Sequence, residues 1–114
     1  MEIKTINDWE KAVVFLLNLD GWDLQHCGTG NKTYDAFGKT QKGVDCVIEM
    51  KFRKKYYEDK MLESDKYETL MALDKDIVKI FFVNDPKGNF MYWLDTLEMP
   101  KPVKKYCPDT SVYT

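Results

Sequence analysis

The chain is 114 residues long, 44% hydrophobic and 14% aromatic, with 17 Lys and Arg against 19 Asp and Glu. That length supports one hydrophobic core, so residues 1–114 read as a single domain, and the apolar content excludes a disordered tail. A net charge of −2 excludes a bulk pull toward nucleic acid or membrane, so any polyanion must be held by a local basic cluster.

Residues 7–10, Asn7-Asp8-Trp9-Glu10, predict a helix start, with Asn7 as N-cap and Glu10 at the capping-box position. Ala12, Val13, Leu16, Leu17 and Leu19 form a helical apolar stripe that stops at Gly21. Residues 22–27 predict a short strand, 28–31 a turn and 33–38 a second strand. A polar stretch, 39–43, leads into a third strand over 44–53. Residues 56–60 are polar and irregular, and a second helix is expected near Asp65, where Asp65 and Glu68 have capping-box spacing. Residues 77–83 are apolar except at Lys79 and suit a strand buried on both faces. The turn at 85–89 returns the chain as a hairpin partner over 90–94. Residues 96–114 are rich in Pro and Lys and read as an irregular C-terminal strap, with Tyr106, Val112 and Tyr113 as anchors. The predicted order is α-β-β-β-α-β-β, a mixed α/β layer architecture.

The third strand organises the rest. Its even positions, Val44, Cys46, Ile48, Met50 and Phe52, are all apolar, whereas its odd positions are Asp45, Val47, Glu49, Lys51 and Arg53. A period of two predicts one buried and one open face, with Glu49 and Lys51 side by side on the open one. Asp35 lies fourteen residues before Glu49, so a hairpin with an odd-numbered loop puts both on one face. A tight loop, 41–43, makes them directly opposite; a loop over 39–43 makes them diagonal neighbours. In either register Tyr34 and Ala36 join the face of Cys46, Ile48 and Met50. Two carboxylates so placed repel each other unless a cation lies between them. Oxygen ligands of this kind suit Mg²⁺, which polarises a phosphate oxygen and lowers the pKa of a bound water. A lysine beside them offsets charge in the transition state.

Asp35 followed by Glu49-Met50-Lys51 resembles the D…(D/E)-x-K signature of the PD-(D/E)XK nuclease superfamily, and the element order over 7–83 is similar to that family's αβββαβ core. The resemblance implies a restriction-endonuclease-like α/β fold: a mixed central sheet flanked by two helices, here followed by a C-terminal hairpin strand and the irregular tail. It implies that Asp35 and Glu49 hold the metal with the backbone carbonyl of Met50, and that Lys51 assists the attacking water. Some members, archaeal Holliday-junction resolvases among them, add a glutamate from the first helix; the candidate here is Glu10, whose alternative role is the capping box. Asp45 is either a further ligand or simply the first acid of its strand. Lys66 resembles a basic residue that some members aim at the site, against the commoner fate of a solvated helix lysine. The proline that often precedes the first aspartate is Tyr34 here.

The implied activity is a Mg²⁺-dependent endodeoxyribonuclease, with Mn²⁺ substituting and no organic cofactor. The implied substrate is DNA, cut in a structure-selective or weakly specific way, and a branched substrate favours a homodimer. Arg53, Lys54, Lys55 and Lys66 are the candidate phosphate contacts. Tyr56 and Tyr57 are positioned in sequence to stack on bases, whereas Trp9, Trp22 and Trp93 read as packing residues. Two rival readings stand beside it: a catalytically inactive nucleic-acid- or protein-binding module on the same fold, and an interaction protein whose Asp35, Glu49 and Lys51 form a surface ion-pair ladder. Cys27, Cys46 and Cys107 have no CxxC spacing, as expected of reduced thiols in the cytoplasm rather than a disulfide framework or zinc site. No leader-like or membrane-length apolar stretch occurs, so no membrane association is expected. His26, the single histidine, is expected to be a surface or hydrogen-bonded residue.

Overall fold

A computed structural model of the protein describes residues 5–28, 33–55, 61–95 and 111–113. The chain runs α1 (Ile6–Leu19), β1 (Asp23–His26), β2 (Ala36–Lys39), β3 (Asp45–Phe52), β4 (Met61–Glu63), α2 (Ser64–Met71), β5 (Val78–Asp85), β6 (Gly88–Trp93) and β7 (Ser111–Tyr113). Five strands form one mixed sheet in the order β1-β2-β3-β5-β6, and β4 pairs with β7 in a separate ribbon. This is the expected αβββαβ core with its added hairpin strand.

Strands β1, β2 and β3 form an antiparallel meander, while β3 and β5 pair in parallel. A parallel pair needs a crossover connection, and β4 with α2 supplies it. The turn between β2 and β3 is the tight one: Lys39 faces Asp45, and the Thr40 N–H donates to the Val44 carbonyl. Gly38 lets β1 and β2 approach, because a Cβ there would lie 2.0 Å from the Asp23 carbonyl oxygen, and its φ is +150°. No other residue type fits that position without moving a strand.

The sheet buries both faces. Leu24, Ala36, Cys46, Ile48, Met50, Ile80 and Phe82 pack toward Val14 of α1 and Trp22. Val47, Phe81 and Val83 pack with Leu62, Leu70 and Leu94. The second layer corrects the sequence reading of β3, whose odd face is covered rather than open. Alternation in a strand shows which residues share a face, but a helix arriving from elsewhere in the chain decides what covers it. Each fully buried Leu or Phe stabilises by about 1.5–3 kcal/mol, enough for this second layer to hold a polar residue under it.

Both helix starts differ from expectation. Thr5, not Asn7, caps α1: its hydroxyl accepts from the Asp8 N–H, and the Asp8 side chain accepts from the Thr5 N–H. The capping box therefore falls two residues earlier and frees Glu10. In α2 the N-cap is Glu63, and no side chain caps it, so the Asp65–Glu68 spacing is not used as a box. The apolar stripe of α1 is also only partly buried: Val14 is covered and Val13 and Leu17 pack against the core, whereas Ile6, Trp9, Phe15, Leu16 and Leu19 are exposed.

Lys79 is a buried cation of the central sheet, 1% exposed. Its Nζ donates to the Asp74 carbonyl at 2.8 Å and lies 3.5 Å from Asp95 Oδ1, whose other oxygen accepts the Lys79 N–H. Trp22 and Trp93 pack edge to face, and Trp9 lies against Phe52. The strap reading is corrected at 111–113, which pair with β4; 96–110 lie outside the described residues, as do Tyr56 and Tyr57. No described helix is long and apolar enough to cross a membrane.

Candidate active site

Asp35 stands immediately before β2, where the hairpin ladder breaks. The register Ala36 to Ile48 places Asp35 opposite Glu49. Instead of continuing the ladder, the Asp35 N–H donates to the Ile48 carbonyl, and Asp35 Oδ2 accepts from the Met50 N–H at 2.8 Å. The Asp35 carbonyl accepts from the Cys27 N–H, which ties the end of β1 to the same point. The aspartate is thus held between neighbouring strands by three hydrogen bonds.

Glu49 projects beneath α2 and is 3% exposed. Its Oε2 has no hydrogen-bond partner among the described residues, although Lys66 Nζ of α2 lies 3.7 Å away. Burial, reinforced by the charge of Asp35, pushes its carboxyl up to about 7; Lys66 and Lys51 pull the other way and lose. An ion pair at 3.7 Å without a hydrogen bond does not offset the desolvation of a buried carboxylate. Glu49 is therefore a buried acid in need of a cation or a proton.

Glu10 reaches the same place from α1. It is 9% exposed, and its Oε1 lies 2.7 Å from His26 Nε2 of β1. Burial raises its pKa; the hydrogen bond from His26 opposes this, while Asp35, within hydrogen-bonding range, raises it further. Three carboxyl groups from α1, the lead into β2 and β3 therefore interact at one corner of the sheet. The ionisation of Glu49 and Glu10 is therefore opposed by their acidic neighbours unless a cation compensates them.

The lysines surround this corner. Lys51 is half-buried, with Nζ 3.5 Å from Glu63 Oε1 at the start of α2. Lys66 faces Glu49 rather than lying free in solvent. Arg53 is half-buried, and its N–H donates to the Asn84 carbonyl; Lys54 and Lys55 are exposed beyond the end of β3. Asp45 is not part of the cluster. It is four residues from Glu49, about 13 Å by strand rise, and forms an exposed pair with Lys39 at 2.7 Å.

The residues suit a hard divalent cation by charge and donor type: carboxylate oxygens, an orphaned buried Oε2 and acids whose ionisation is opposed by one another. Asp35, Glu49 and Glu10 are the groups that would hold one. The fit is not a closed cage, since no group of three or more His, Cys, Asp and Glu side chains among the described residues is arranged to enclose a metal ion.

Two members of this neighbourhood escaped the motif. His26 is a lone histidine with no ligand spacing, so only the packing of α1 against β1 brings it to Glu10. Glu63 sits in a three-residue strand too short for any period to show. Cys46 is inert: burial, with a smaller contribution from Asp45, pushes its thiol up to about 11.

No protein-family model matches the chain, and no curated protein matches it in sequence. Among solved structures it is similar to Hjc of Archaeoglobus fulgidus, a Holliday junction resolvase from an archaeal hyperthermophile. The TM-score is 0.64 at 14% sequence identity, covering 91% of this chain and 85% of that one. At that identity the likeness shows the fold, a restriction-endonuclease-like arrangement of two helices and a mixed sheet.

Proposed function

We propose that this protein is a divalent-metal-dependent nuclease that hydrolyses phosphodiester bonds in DNA, acting as a structure-selective or weakly specific endonuclease. The observation that carries the reading is the meeting of Asp35, Glu49 and Glu10 beside Lys51 and Lys66, with Glu49 buried and its Oε2 without a hydrogen-bond partner among the described residues. A surface ion-pair ladder has no reason to bury an acid at this cost. The likeness to a solved Holliday junction resolvase adds support at the level of the fold.

In this reading Asp35, Glu49 and Glu10 bind Mg²⁺, or Mn²⁺ in its place, with the Met50 carbonyl as a further ligand. The ion supplies Lewis-acid polarisation of the phosphate and a water of lowered pKa. The chain's own residues do the rest. The Met50 N–H fixes Asp35 at 2.8 Å, so that carboxylate keeps its direction as charge builds. Lys51 exchanges Glu63 for the phosphate and offsets the negative charge that develops on it. Lys66 stays against Glu49 and limits the repulsion among the acids. Arg53, Lys54 and Lys55 hold flanking phosphates, a sequence-independent and salt-sensitive contribution. A homodimer belongs to the proposal, because a branched substrate presents two strands to two sites; the exposed apolar residues of α1 support it. The proposed setting is the cytoplasm, where the buried Cys46 remains the free thiol it is here.

The net charge of −2 favours a second reading: a nucleic-acid- or protein-binding module on the same fold that does not cut. One panel separates the two. Linear, nicked, single-stranded and four-way DNA, with RNA alongside, are incubated with Mg²⁺, Mn²⁺ or EDTA, using wild type, Glu49→Ala and Lys51→Ala. Metal-dependent cutting that neither variant retains is the expected result. Intact substrates in every wild-type lane, with DNA still bound, overturn the nuclease reading in favour of the module.

A further inference from the structure

The Glu10–His26 contact has no part in the D…(D/E)-x-K pattern, and its geometry is directional. His26 Nδ1 accepts the Gly28 N–H at 3.1 Å. The neutral imidazole therefore carries its proton on Nε2, and that N–H donates to Glu10 Oε1 at 2.7 Å. A backbone group thus sets the tautomer, and the tautomer sets which atom meets Glu10. Both side chains are close to nine-tenths buried, 9% and 11% exposed, so water does not replace either partner freely.

The backbone reinforces the arrangement. His26 pairs with Ala36, the residue after Asp35, and the Cys27 N–H donates to the Asp35 carbonyl. The end of β1 therefore positions two of the three acids, Asp35 through its main chain and Glu10 through an imidazole. Glu10 needs this more than the others do. It comes from a helix that buries only one other residue, Val14, and it would otherwise turn away from Asp35, whose charge opposes its own. With Oε1 held by an N–H donor, the remaining oxygen is the one left to take a cation.

We propose that His26 is a positioning residue that holds Glu10 as the third carboxylate ligand of the divalent cation. The inference rests on the nuclease reading only in taking Glu10 as a ligand. Partners that orient a ligand from outside the coordination sphere are typically worth roughly 10–100-fold in metal affinity.

The test is Mn²⁺ binding to the full chain, measured by calorimetry and by the decrease of the free-ion electron paramagnetic resonance signal. Wild type, His26→Ala, His26→Gln, Glu10→Gln and the His26→Ala/Glu10→Gln double variant are compared at one pH. Circular dichroism checks that each is folded, and the cleavage panel is run on the same samples. His26→Ala is expected to weaken Mn²⁺ binding about 10-fold or more. His26→Gln, whose amide still offers an N–H donor, recovers part of that affinity. In the double variant the His26 substitution adds nothing to the weakening caused by Glu10→Gln, which a role in general stability would not produce. Wild-type Mn²⁺ affinity in folded His26→Ala overturns this proposal alone and leaves the nuclease reading intact. An equal weakening with and without Glu10 also overturns it, because His26 would then act by another route. Wild type that neither takes up Mn²⁺ nor cuts any substrate overturns both.

Discussion

Replacing Glu49 by Gln keeps the shape of the side chain and removes its charge. In most proteins, deleting a half-paired acid from a buried site is destabilising; here the opposite is expected once metal is withheld. Burial and Asp35 raise the Glu49 carboxyl from its ordinary 4.5 to about 7. Between those values the folded chain binds more protons than the unfolded chain, so this group's contribution to stability falls as pH rises through the window and is fully lost above about 7. At about 1.4 kcal/mol per pH unit, the interval corresponds to about 3 kcal/mol. The opposing pull of Lys66 and Lys51 is already contained in it. Glu49→Gln should therefore match wild type within about 1 kcal/mol at pH 5, yet exceed it by about 3 kcal/mol at pH 8 in EDTA, on the order of 10 °C in Tm. A divalent cation should reverse the order at pH 8, since a ligand at about 1,000 times its Kd stabilises wild type by about 4.1 kcal/mol and the variant far less. Urea and thermal unfolding at both pH values, with EDTA or Mg²⁺, measure all four quantities. If Glu49→Gln is the less stable protein at pH 8 in EDTA, the ion pair with Lys66 outweighs the burial of the acid and the reasoning fails.

Three further outcomes follow from the same geometry. Thr5→Ala should cost about 1 kcal/mol in urea unfolding and Asn7→Ala under about 0.5, because only Thr5 makes the cap hydrogen bonds. Gly38→Ala should cost roughly 3 kcal/mol or prevent folding, as read by circular dichroism, since its Cβ meets the Asp23 carbonyl at 2.0 Å. Changing Lys54 and Lys55 together to Ala should weaken DNA binding on every sequence alike. The slope of log K against log salt should flatten by about 0.9 for each phosphate that is no longer neutralised, as measured by anisotropy across a salt series.

The hairpin was readable because its information is local. Period two in β3 and the count from Asp35 to Glu49 need only one turn, and the 41–43 turn is the observed one. What escaped was set by distant segments. Glu49 carries the same letter whether exposed or buried, and β4 and α2 decide the matter through Leu62 and Leu70, which share a cluster with Val47. The cap of α1 was misplaced because Thr5 and Asn7 are both good capping residues two positions apart; the choice of Thr5 leaves Glu10 free to face His26. The three-residue strands β4 and β7 are shorter than any pattern that could announce them, and they pair across a long stretch of intervening sequence. His26 became part of the neighbourhood through the pairing of β1 with β2 and the packing of α1 on β1.

Helix α1 has fourteen residues and buries two of them, Val14 and a glutamate. Its seat on the sheet therefore depends partly on an acid whose charge is disfavoured where it sits, beside the apolar contacts of Val13, Val14 and Leu17. Order in such an element is conditional on the solution around it. When alkali has stripped the protons from the carboxyl cluster and no cation replaces them, α1 is the segment that should lift first, with its amides exchanging hydrogen well before those of β3 and β5. The same event would carry Glu10 away from Asp35. Release of the ion and loosening of this helix then become two views of one local opening.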